Sequence, residues 1–214
     1  MIPLSFPKGC VVNFYGEHPK NLLMRFVYGQ IRRYQKRKYP HSSRTDAIHT
    51  MLHLGEGRFL SVESPRAVIR EREPEGKFSV WRYKYDGNFT EESWRAFEAA
   101  VKEIAGTPYD YGQLVDILVH QLFGWLPEKL NLFDFGRKRK VCSVAAHAVL
   151  VKAWQQTDRS QPRPLGNQYI EHTCPADFEN DQTFEEITTS SAPRTSSPST
   201  PAGMPPTRRS PCPP

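Results

Sequence analysis

Asp46-Ala47-Ile48-His49-Thr50-Met51-Leu52-His53-Leu54-Gly55-Glu56-Gly57-Arg58-Phe59-Leu60-Ser61-Val62-Glu63 consists of two short β-prone runs around a Gly-x-Gly centre, and it predicts a β-hairpin. Glycine supplies the positive φ that a tight connection needs. With Glu56 as the apex of a three-residue turn, paired residues sum to 112, so His49 faces Glu63 across the ladder, where a carboxylate can orient an imidazole. A two-residue Glu56-Gly57 loop instead pairs Glu63 with Thr50 and turns it to the other face. His53 shares a face with His49, but four strand residues separate the two by roughly 13 Å, too far for one zinc ion. His53 is therefore read as a partly buried sheet histidine, and no metal or cofactor is expected.

A base on a strand needs a nucleophile, and Lys140-Val141-Cys142-Ser143-Val144-Ala145-Ala146-His147 offers one. Here a basic run, Arg137 to Lys140, gives way to an apolar helical run. A thiol at that junction sits where unsatisfied backbone N–H groups and the helix dipole favour thiolate. His147 is a poor partner, because five residues carry it about 140° around the helix axis from Cys142. His49 is the expected partner. The chemistry that follows is covalent acyl transfer, with Cys142 as nucleophile, His49 as base and Glu63 as the residue fixing its tautomer. The first N–H groups of the Cys142 helix, with Ser143 next in line, are expected at the oxyanion.

These segments together resemble a known family, the circularly permuted NlpC-type members of the papain-like cysteine hydrolases (the YiiX-like branch). The likeness rests on motif order: His49 before Gly55-Glu56-Gly57, a strand ending in Glu63, Trp81-Arg82-Tyr83, and a helix over 91–105. Gly106-Thr107-Pro108-Tyr109-Asp110, Cys142-Ser143 opening a helix, and Pro175-Ala176-Asp177 follow. Val144-Ala145 stands where many relatives carry glutamate and leucine. The resemblance implies an α+β, papain-like fold in which an antiparallel sheet or small barrel packs against helices carrying the nucleophile. It also implies cleavage of amide or peptide bonds, cell-wall peptides included, or of lipid esters in an acyltransferase-like or thioesterase-like branch. Tyr109 resembles a tyrosine that lines the cleft in this family. The amide or peptide reading is favoured at this point.

The chain has 214 residues and a formal charge of +6. Residues 1–186 are expected to form one domain and 187–214 a disordered tail, since the latter holds eight prolines, eleven serines or threonines and no acid. Four scattered cysteines suit a reducing compartment, and without an apolar leader or membrane-length run the expectation is cytoplasmic synthesis, with later delivery elsewhere or in a virion left open. A first strand is expected over 10–15 and a helix over 21–35. From Asn21 to Arg44 there are seven basic residues and no acid, interleaved with Phe26, Tyr28, Tyr34 and Tyr39. That composition suits either a solvated basic helix near the cleft or, in a catalytically silent binding module, a nucleic-acid or other anionic partner. Thr90 is expected to cap a helix that packs through Trp94, Phe97, Val101 and Ile104 and stops at Gly106. The apolar stretch from Tyr111 to Leu126 reads as a helix beneath the nucleophile or as a contact for an acyl chain. Oligomeric state is not readable.

Overall fold

The computed structural model describes residues 6–16, 22–71, 74–112 and 141–187, apart from the side chains of residues 23 and 24. The expectations for residues 113–126, for the basic run 137–140 and for the tail from 188 lie outside that set.

The described residues form an α+β structure around a six-stranded antiparallel sheet. Its strands are β1 (Val11–Phe14), β2 (His49–Gly55), β3 (Arg58–Val62), β4 (Ala67–Arg70), β5 (Phe78–Tyr83) and β6 (Phe184–Glu186). They run in the order β4-β3-β2-β1-β5-β6. The helices are α1 (Leu22–Lys38), α2 (Glu91–Ile104), α3 (Cys142–Trp154) and α4 (Pro175–Asn180). Strand alternation gives the sheet two apolar faces. Leu52, Leu54, Leu60, Val62, Trp81 and Tyr83 meet α2 and α3 on one side, while Met51, Phe59, Val80 and Val12 cluster with Phe6 and Cys10 on the other.

The hairpin resolves both turn readings at once. The loop is the two-residue Glu56-Gly57, closed by the Gly55–Arg58 pair, with φ of 54° at Glu56 and 69° at Gly57. A β-bulge between His53 and Gly55 then shifts the register by one residue, so that His53 pairs Phe59, Leu52 pairs Leu60 and Met51 pairs Ser61. These pairs sum to 112, and the ladder continued past Val62 sets Glu63 opposite His49. The extra residue of a bulge restores the register that the short loop alone would have displaced.

Helix α2 begins with a capping box in which Thr90 and Ser93 bond reciprocally, and it buries Phe97, Ala100, Val101 and Ile104. The chain leaves it at Gly106, with φ of 83°. Helix α3 is apolar nearly all round, as befits a helix enclosed by the fold: Val144, Ala145, Ala146, Val149, Leu150 and Ala153 are buried against α2, β2 and β3. Ile187, counted with the tail from its sequence, belongs to the domain, since its amide donates to the Val80 carbonyl at 2.8 Å. Among the described residues, no helix is long and apolar enough to cross a membrane.

Candidate active site

Helix α3 starts at Cys142 behind Val141, an N-cap residue with extended backbone and no capping side chain. A valine cannot satisfy first-turn donors as serine or aspartate would, so the N–H groups at this helix start are left for other acceptors. One is the sulfur itself, whose thiolate form the backbone N–H groups of Ser143 and, from the adjoining strand, Thr50 favour. His49, first residue of β2, faces the same thiol.

The two side chains shift each other. Burial opposes a Cys142 thiolate, but the charge of His49 and a hydrogen bond from it outweigh burial and hold the thiol below its ordinary value. Burial likewise opposes a charged His49, while the Cys142 charge and hydrogen bond, and then Glu63, raise it. Both shifts favour a thiolate–imidazolium pair. The other two described cysteines behave oppositely, for burial pushes Cys10 up to about 12 and raises Cys174 well above the usual thiol range.

Glu63 reaches the imidazole through an intermediary that the sequence reading missed. The expected direct His49–Glu63 contact is replaced by a relay: His49 Nε2 lies 2.9 Å from Ser61 Oγ, and Ser61 Oγ donates to Glu63 Oε1 at 2.6 Å. A serine hydroxyl has one proton, and Glu63 receives it, so Ser61 must accept from His49 Nε2–H. That fixes the tautomer and leaves Nδ1 for the thiol. The other carboxylate oxygen of Glu63 takes Arg70 at 2.6 Å. Burial raises Glu63, but the bonds from Ser61 and Arg70 and the charge of His49 outweigh it, so its carboxyl stays below the usual range. Direct contact fails because β3 ends at Val62: Glu63 leaves the ladder and turns to Arg70, while Ser61, diagonal to His49 on the same face, stays in reach. The signal was the two-residue spacing of Ser61 and Glu63 across from a strand histidine.

Ser143 is left to serve through its backbone alone. Its hydroxyl is buried and donates to the Thr173 carbonyl at 2.6 Å, so only its backbone N–H faces the site. Tyr109 lines the site, its phenol pushed up by burial and by the Cys142 charge, and Tyr28 is raised for the same two reasons. Tyr28 is an aromatic of the basic stretch, with no sequence signal marking it for the site. His147 is structural: Thr173 Oγ1 lies 2.7 Å from Nδ1, and Nε2 donates to Pro164 O at 3.1 Å. His53 Nδ1 donates to Pro7 O at 3.0 Å, and its ring packs on Phe59 with centroids 4.8 Å apart. Among the described residues no cluster of three or more His, Cys, Asp or Glu side chains is poised to hold a metal ion.

Cys142, His49, Glu63 and Tyr109 line one cavity of about 730 Å³. Its walls are largely apolar, from Phe14, Ile48, Val62 and Val141, with Val27, Tyr28, Ile31 and Tyr34 contributed by α1. The basic helix is thus one wall of the cavity and is held there by its inner face. Gln35 donates to the carbonyls of Thr45 at 3.0 Å and Ala47 at 2.8 Å, and accepts from the Ala176 amide at 2.8 Å. Lys38 lies 2.8 Å from Asp177 Oδ1, and Tyr39 donates to the same oxygen at 2.5 Å. The Pro175-Ala176-Asp177 element is therefore an anchor for α1, fixing the segment that leads into His49.

The chain matches no family model, no curated protein and no solved structure.

Proposed function

We propose that this protein is a thiol hydrolase that works through an acyl-enzyme, of the permuted NlpC-type, papain-like kind its motif order resembles. The observation that carries the reading is geometric: Cys142, at an uncapped helix start, lines one cavity with His49 and Glu63, an arrangement in which thiolate and imidazolium favour each other. The Cys142 sulfur attacks a carbonyl carbon, forming an S–C bond while the carbonyl electron pair moves to oxygen. Collapse expels the leaving group, which takes its proton from His49. His49 then draws a proton from water, whose oxygen attacks the thioester and releases Cys142. Ser61 and Glu63 keep the imidazole in the required tautomer throughout. Free first-turn N–H groups of α3 are the donors available to the oxyanion, each worth roughly 3 kcal/mol when well aimed.

Amide or peptide bonds remain the first substrate class. A second reading, cleavage or transfer of an acyl group from a lipid ester or thioester, draws support from the apolar cavity walls. Peptidoglycan fragments and a series of p-nitrophenyl acyl esters, each incubated with wild type and Cys142→Ala, distinguish the two. Mass spectrometry of wild type is expected to reveal an acyl adduct on Cys142 with one of them. If neither substrate acylates the protein, and iodoacetamide alkylates Cys142 no faster than a free thiol, the reading fails.

A further inference from the structure

We propose that the outward face of α1 docks on an anionic lipid bilayer. At 100° per residue, Leu22, Arg25, Phe26, Arg33, Lys36 and Arg37 fall within an arc of roughly 120° on this helix. All six are exposed, and the two apolar residues conspicuously so: Leu22 is 77% and Phe26 54% accessible. The opposite face is committed to the fold through Tyr28, Ile31 and Gln35. Arg25, Arg33 and Arg37 have no ion-pair partner among the described residues, and Lys36 reaches Asp46 only at 3.9 Å with both groups in solvent.

Charge decides what this face meets. Residues 113–140 carry five basic and three acidic side chains, and residues 188–214 carry three arginines and no acid. Neither segment supplies the negative charge that four exposed cations call for, so an external anionic surface fits better than the chain itself. Between polyanions, Leu22 and Phe26 favour lipid: phosphate contacts along a nucleic acid need cations alone, whereas a helix lying at a bilayer interface combines cations that meet headgroups with apolar side chains that enter the acyl boundary. Docking here would set the bilayer on one side of α1 and the Cys142 cavity on the other.

Vesicle co-sedimentation of the full chain tests the proposal. Vesicles mixing phosphatidylcholine and phosphatidylglycerol are expected to bind the protein, pure phosphatidylcholine much less, with binding falling as salt rises. The triple change Arg25→Gln, Arg33→Gln, Arg37→Gln should weaken binding on the order of 100-fold, and Leu22→Ser with Phe26→Ser by at least about tenfold. Lys152→Gln, an exposed cation on α3, and Cys142→Ala should bind as wild type does. The latter separates docking from catalysis. Should the multiple variants misfold, Phe26→Trp supplies an independent reading, its added fluorescence being quenched by lipids brominated in their chains. Absence of binding that depends on anionic lipid, full binding by the triple variant, or absence of that quenching would each overturn the proposal. So would tighter binding to a single-stranded RNA that is indifferent to Leu22 and Phe26.

Discussion

Ser61 turns a carboxylate at the end of a strand into an orienting group for a half-buried imidazole. Its hydroxyl bridges His49 Nε2 and Glu63 Oε1, so removing it separates base from acid without touching either. Ser61→Ala is expected to slow Cys142 alkylation by about 10- to 100-fold, the equivalent of one hydrogen bond to a charged group. Ser61→Thr, which keeps the hydroxyl, should recover most of the rate, and an unchanged rate in Ser61→Ala would remove the relay from the mechanism. The pH profile reports on the pair itself. Because Cys142 is lowered and His49 raised, the reactive ion pair exists below the ordinary thiol range: it is lost on acidification as the thiolate takes a proton, and on alkalinisation as His49 gives one up. Iodoacetamide reactivity of a Cys212→Ser background should therefore persist at pH values where Cys10 and Cys174 are silent. In His49→Ala the rising limb should move upward toward that of a free thiol. Equal limbs in the two proteins would show that His49 does not activate the sulfur.

Two helices fix where these groups meet. Helix α3 is fastened at its first turns by Ser143 and His147, both bonded to Thr173. Ser143→Ala leaves a buried carbonyl unpaired and should cost about 1–3 kcal/mol in denaturant unfolding while leaving the alkylation rate nearly unchanged. A large loss in the rate of Cys142 acylation by an ester, which passes through an oxyanion as alkylation does not, with little loss of stability would assign the Ser143 hydroxyl to the oxyanion. His147 is held neutral: burial, then the charge of Arg163, lowers it from 6.5 to about 4. The unfolded chain binds a proton at this histidine below pH 6.5 while the folded one does not, so stability falls as pH drops from 6.5 toward 4. The loss is on the order of 3 kcal/mol. Chemical unfolding of wild type and His147→Gln across that range checks it, and parallel pH dependences in the two would exclude His147 as the source. Helix α1 depends on Gln35, whose amide holds three backbone groups in the core.

At the scale of the molecule, the site is a meeting of segments distant in sequence: a strand from the first third, a helix start from the last, and the α1 wall braced on α4. Val27 and Ile31 form that wall on the cavity side. Ile31→Trp fills space without touching Cys142, His49 or Ser61. Whichever acyl substrate proves active, the variant should lose its bulkier members and retain iodoacetamide reactivity. A proportionate loss of both would mean that α1 supports the site rather than bounding the substrate. Truncation after Ile187 is expected to leave the unfolding midpoint unchanged in a thermal melt.

Local pattern determined a good deal by itself. Alternation and Gly-x-Gly placed a hairpin at 49–63, Thr90 and Gly106 bounded a helix, and the polar-to-apolar junction at Cys142 marked a helix start, because each is set by neighbours a few residues away. The register was legible only as two alternatives, since a bulge at His53–Gly55 is decided by what the two faces bury. The capture of the Ser143 hydroxyl by Thr173 and the apposition of Cys142 with His49 were decided by tertiary structure. Pairings between residues 26 to 93 positions apart depend on where packed elements come to rest, which no local spacing encodes. The two faces of α1 divide the same way: its charge was plain in the chain, but only burial of Gln35, with Tyr28 half-buried beside it, decided that Leu22 and Phe26 would look outward.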